Sequence, residues 1–147
     1  MKRKVFPALG LFCLALLSAA VSRAAAPFTV VPSTTRCSAD GGTLLLRVVF
    51  SFGEKAPSAL GLQLLLPPGW TLVSTAGANV PPIAPTPGDT GSLGWAYLEL
   101  PEKSAEFAVA LRYPAGVSVD QVVRAMAIWR PAPPESPAEL KIAIGAP

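Results

Sequence analysis

Asp89-Thr90-Gly91-Ser92 is the run whose residue types come nearest to chemistry in this 147-residue chain. A carboxylate on a glycine turn can share a proton with a second carboxylate and so activate water. In a chain of this size a second copy could supply the second carboxylate. Two observations oppose this. Thr86-Pro87-Gly88 precedes the aspartate where apolar strand residues would be needed to seat it, and Asp-Thr-Gly is also ordinary turn chemistry. Glu99, Glu102 and Glu106 bracket Pro101 and suggest either a calcium ligand set or an acid/base pair. Carboxylates beside Lys103 more often mark a solvated strand end. Only Asp40 and Asp89 sit in the glycine-rich loops that calcium sites favour.

The absence of histidine removes Ser-His-Asp and Cys-His nucleophile schemes together with the usual zinc sites. No Cys-x-x-Cys, P-loop or Gly-x-Gly-x-x-Gly follows a strand, so neither a cofactor nor a metal is expected. Asp89-Thr90-Gly91 resembles the catalytic loop of aspartic proteases, which would imply a homodimeric protease; the turn reading is preferred. Trp70, Trp95, Trp129, Tyr97 and Tyr113 are the residues a sugar-binding surface would stack on. Trp95, Tyr97 and Tyr113 alternate in phase with Leu93, Phe107 and Leu111, which assigns most of them to a core. Trp129 is the candidate ligand contact, because the rest of its strand face is small.

The chain opens on Met-Lys-Arg-Lys, followed by an apolar run from Val5 to Val21 and the small-residue stretch at 22–26. This order predicts a secretory signal peptide over 1–24, short for a membrane span, with an uncleaved anchor as the alternative. Phe12 before Cys13 argues against a lipidated cysteine. Four of the 12 basic residues lie in this leader and all nine acidic ones lie beyond it, so the mature chain carries a net charge of −1. The pI of about 9.1 is then a property of the leader, and a nucleic-acid partner loses its support. Residues 25–147 form one domain by size, able to bury roughly two thirds of their unfolded surface. Cys37 is the one cysteine left; it is either a small buried hydrophobe or a thiol available to another chain.

Period-two alternation recurs through this domain. Leu60, Leu62, Leu64 and Leu66 share one face, and Pro67-Pro68-Gly69 then stops the ladder and turns the chain into Trp70. This is a hairpin or a β-arch. Leu44, Leu46, Val48, Phe50 and Phe52 form a second such face, and Phe107, Val109, Leu111 and Tyr113 a third. Shorter strands are expected at Phe28–Val31, after Trp70, from Leu93 toward Pro101, and at Leu140–Ile144. The segment from Thr75 to Ser92 holds four prolines, and Val80 and Ile83 suit it to tacking across an open sheet edge. Ser118 to Arg130 fits both periods: Ser118-Val119-Asp120-Gln121 suits a capping box, while Val123, Ala125, Ala127 and Trp129 suit a strand face. The strand is preferred because every neighbouring element is one. The expectation is an all-β, two-sheet antiparallel sandwich of about eight strands, preceded by a signal-peptide helix.

The succession "LPPGW", "GDTGSLGWAY", "FAVALRYPAG" and "DQVVRAMAIWR" resembles immunoglobulin-like or cohesin-like sandwich modules of secreted bacterial proteins. The resemblance implies scaffolding, adhesion, or protein or glycan contact, and it transfers no site residue. The expected function is therefore an exported, secreted or periplasmic, non-enzymatic module that contacts an unknown protein or a glycan. A carbohydrate-binding module using Trp129 is the alternative. Contact with a membrane is expected only through an uncleaved leader.

Overall fold

The computed structural model describes residues 27–131 and 139–147. The expected leader at 1–24, with Cys13, lies outside them, as does most of the proline-rich bridge after Pro131. Eight strands follow one another: β1 (Phe28–Pro32), β2 (Gly42–Ser51), β3 (Ala59–Leu65), β4 (Thr71–Ala76), β5 (Ser92–Ala96), β6 (Ser104–Tyr113), β7 (Gln121–Arg130) and β8 (Glu139–Ile144). They form two antiparallel four-stranded sheets, ordered β1-β2-β6-β4 and β5-β3-β7-β8.

The alternation seen in the sequence becomes the interior. In the first sheet Phe28 pairs with Phe50, Leu46 with Val109 and Val48 with Phe107, all buried. In the second, Leu62 stands between Trp95 and Ala127, and Leu64 between Leu93 and Ala125. Large residues on β3 thus oppose small ones on β7, which leaves room above that sheet for side chains of the facing one. Leu44, Leu46, Leu62 and Leu64 are fully buried, and each such side chain contributes about 1.5–3 kcal/mol relative to exposure.

β3 and β4 belong to different sheets, so Pro67–Trp70 is an arch and not a hairpin. The Trp70 N–H donates to the Pro67 carbonyl at 3.2 Å, and Gly69 takes a φ of 83°, the left-handed region that the turn requires. Trp70 is buried and packs on Tyr113, with ring centroids 5.5 Å apart.

Ser118–Arg130 resolves as β7 from Gln121 onward, because Ala59–Leu65 pairs with it residue by residue. β5 is shorter than the sequence suggested. It ends at Ala96, with one further bond in the same register from the Tyr97 N–H to the Leu60 carbonyl at 3.0 Å.

The proline-rich segment after β4 closes one side of the sandwich. Ile83 exchanges both backbone hydrogen bonds with Ala96 on the β5 edge, while Gly88 and Asp89 bond to Leu72 on the β4 edge. Trp95 Nε1 donates to Thr75 Oγ1 at 3.0 Å and ties the same two edges together. On the opposite side, Thr35 and Cys37 pair with Gly145 beyond β8.

Candidate functional site

The carboxylates singled out by spacing do not converge. Asp89 is exposed, and its Oδ2 accepts the Thr86 N–H at 2.8 Å while its own N–H donates to the Thr86 carbonyl at 3.0 Å. That closed loop of bonds is a turn, with Asp89 as its clasp. Asp40 occupies another exposed turn, its N–H donating to Ser38 Oγ. Glu99 and Glu102 are exposed in the β5–β6 connection, whereas Glu106 lies well inside β6 and faces outward. Among the described residues no group of three acidic or cysteine side chains could hold a metal ion.

The aromatic residues divide in a similar way. Trp95 and Tyr113 are buried, and the Tyr113 hydroxyl accepts the Ser38 N–H at 3.1 Å. Tyr97 is half-buried, and its hydroxyl donates to the Asn79 carbonyl. Its burial pushes the phenol pKa up to about 12. Trp129 sits on the inward side of β7, half-buried, against Phe52 at 5.7 Å edge-on and Phe50 at 6.1 Å. The small residues of its own strand leave room that Phe50 on β2 and Phe52 just past its end fill. Much of the indole is therefore committed to packing. Cys37 is buried, and that burial raises its thiol pKa.

A concave feature of the described surface lies elsewhere, on the outer face of the first sheet. A groove of about 730 Å³ runs across β1, β2 and β6 and is closed at one end by Gly77–Asn79. Val31 and Leu45 form its aliphatic wall, each about half exposed, and Ala108 on β6 keeps its floor low. Asn79 builds the end wall: its N–H donates to the Glu106 carbonyl at 3.2 Å and its Oδ1 accepts the Glu106 N–H at 3.3 Å. Tyr97, just past β5, holds that same residue through its hydroxyl. An ordered network thus reaches the groove through a side chain that lies outside it.

Within the groove Arg47 and Glu106 form a two-point pair, Nε to Oε1 at 2.6 Å and Nη2 to Oε2 at 3.0 Å. The hydrogen bond and charge of Arg47 hold the Glu106 carboxyl below its ordinary pKa, and Glu106 raises that of Arg47. Both groups are thereby kept ionised. The guanidinium keeps further N–H donors and the carboxylate further lone pairs, so each can take another hydrogen bond. Spacing alone sets Glu106 beside Glu99 and Glu102 and does not join it to Arg47. They are 59 positions apart, and only the β2–β6 register brings them together.

No family model matches the chain, and no curated protein is significantly similar to it. Among solved structures, the chitin-binding domain of a hyperthermophilic chitinase from Pyrococcus furiosus is 16% identical, over 68% of this chain and 84% of that one, with a TM-score of 0.44. A likeness that slight carries neither fold nor ligand from one protein to the other.

Proposed function

We propose that this chain is a non-enzymatic β-sandwich binding module, exported by its leader, that holds a protein partner in the groove of the first sheet. A kinship with immunoglobulin-like or cohesin-like modules belongs to the same reading. The observation that carries it is the make-up of the groove: aliphatic walls around a mutually neutralised Arg47–Glu106 pair. A general base or nucleophile needs a perturbed, uncommitted group facing the substrate. This pair instead offers fixed hydrogen-bonding directions beside apolar surface, as suits an extended polypeptide with small aliphatic side chains.

The test is a displayed-peptide selection against the full chain, followed by binding measurements on Leu45→Glu and Arg47→Ala. Selected peptides should lose affinity for both variants, and peptide or glycan libraries incubated with the pure protein should show no turnover. Turnover that tracks the purified protein would overturn the non-enzymatic part, and unaltered affinity in both variants would remove the groove. The glycan alternative rests on the exposed part of Trp129. Its test is a glycan array, where a signal abolished in Trp129→Ala that remains folded would favour it over the groove.

A further inference from the structure

The outer face of the second sheet holds a charge arrangement that no ion pair among the described residues relieves. β7 and β8 set Arg124 directly opposite Lys141, and both are exposed. Like charges facing each other across a ladder are destabilising. Glu139 is the acidic residue of that face, one same-face position along β8 from Lys141, yet the salt bridge formed among the described residues is the Arg47–Glu106 pair of the other sheet. Arg130 adds a further positive charge at the far end of β7. Local rules broken without internal compensation are found where a surface meets something else.

Beside this basic pair lies apolar surface arranged by the strand register. Leu65 stands opposite Arg124, and Ile128 is in line with Gly61, Ala96 and then Ile83, which lies along the β5 edge. Ile83 is 50% exposed, and Ile128 and Val122 are each 45% exposed. Gly61 is held without a side chain because a Cβ there would come within 2.6 Å of the Trp95 carbonyl oxygen. The surface between Ile83 and Ile128 is therefore low, an apolar strip separated from the Arg124–Lys141 pair by one same-face row, Gln63, Met126 and Glu139.

We propose that this face docks an acidic protein segment, its aliphatic side chains along the strip and its carboxylates over Arg124 and Lys141. A carboxylate placed between the two cations turns their repulsion into two attractions, and Arg124 can take it with paired N–H donors. The apolar strip excludes water around those contacts. The flat face and few cations favour an acidic protein over nucleic acid, which is bound through many phosphate contacts. The surface lies on the opposite sheet from the groove, so the two proposals stand or fall separately.

The experiment titrates the isotope-labelled full chain with a synthetic peptide of alternating Glu and Val, and with a counterpart of alternating Lys and Val, followed by amide NMR. The Glu peptide should shift Leu65, Arg124, Met126, Ile128 and Lys141 and leave Leu45, Arg47 and Ala108 in place. Affinity should fall about tenfold or more in Arg124→Glu/Lys141→Glu, and also in about 0.5 M salt. Because that double variant sets two new carboxylates beside Glu139, its thermal unfolding is measured alongside, and Arg124→Gln/Lys141→Gln, which adds no like charge, should lose affinity while staying folded and so separate binding from folding. Absent shifts, equal binding of the Lys peptide, or unchanged affinity in either double variant would each overturn the proposal. Sedimentation with phosphatidylcholine–phosphatidylserine vesicles in place of peptide binding would overturn it in favour of a membrane. Self-association abolished in either double variant would overturn it in favour of a second copy.

Discussion

The two sheets present the same kind of inner face and opposite kinds of outer face. Inside, both are continuous aliphatic and aromatic layers. Outside, the first sheet pairs Arg47 with Glu106 in a groove, and the second sets Arg124 against Lys141 one row from a flat apolar strip. The difference shows how little the interior constrains the surface of a sandwich. Residues that alternate outward are free of the packing that fixes their neighbours, and selection can set their charge in either direction.

The largest effect should come from the layer the sheets share. Leu64→Ala in the second sheet and Leu46→Ala in the first should each cost about 2–5 kcal/mol in denaturant unfolding, because each leaves a cavity in a closed core. Gln63→Ala, on the outer face beside Leu64, should cost far less. Equal sensitivity at 63 and 64 would erase the distinction between inner and outer faces. Next in size, Gly61→Val should cost about 1–3 kcal/mol, since its side chain must displace the Trp95 backbone. Ala108→Val, on the outer face of the first sheet, should be milder by the same measurement.

Charge reversal should separate the outer faces by sign. Lys141→Glu converts a repulsive cross-strand pair to an attractive one and should stabilise the fold by about 0.2–1 kcal/mol. Arg47→Glu should do the reverse in the groove, placing a second carboxylate beside Glu106. If both substitutions destabilise, the Arg124–Lys141 contact is not a source of strain.

The smallest effects are in pH dependence. The folded-state pKa of Glu106 is depressed, so its contribution is present above the unfolded value of about 4.5 and is lost as the pH falls through the folded value. Carboxylate NMR should show that pKa rising in Arg47→Gln. Tyr97 has the opposite sign. Its pKa is raised from 10.0 to about 12, so its contribution is full below pH 10 and disappears as the pH rises toward 12. Tyrosinate absorbance should show a late-titrating group that is missing in Tyr97→Phe.

The sequence by itself determined which residues would be buried once the strands paired. The period-two runs at Leu60–Leu66, Leu44–Phe52 and Phe107–Tyr113 are written locally, and burying one face is what such runs are able to do. The arch was legible as a stop and a turn, because Pro67, Pro68 and Gly69 act through their own backbone limits. Whether it returned to the same sheet was not legible, since sheet membership depends on partners far along the chain. Ser118–Arg130 was open between two periods for the same reason, and pairing with β3 closed the question. Trp129 looked free because its own strand face is small, while the rings that pack against part of it, Phe50 on β2 and Phe52 just past its end, are distant in sequence. The groove, the Arg47–Glu106 pair and the Arg124–Lys141 alignment are products of register. A register couples residues through hydrogen bonds between distant strands, so tertiary structure alone decided which charges would meet.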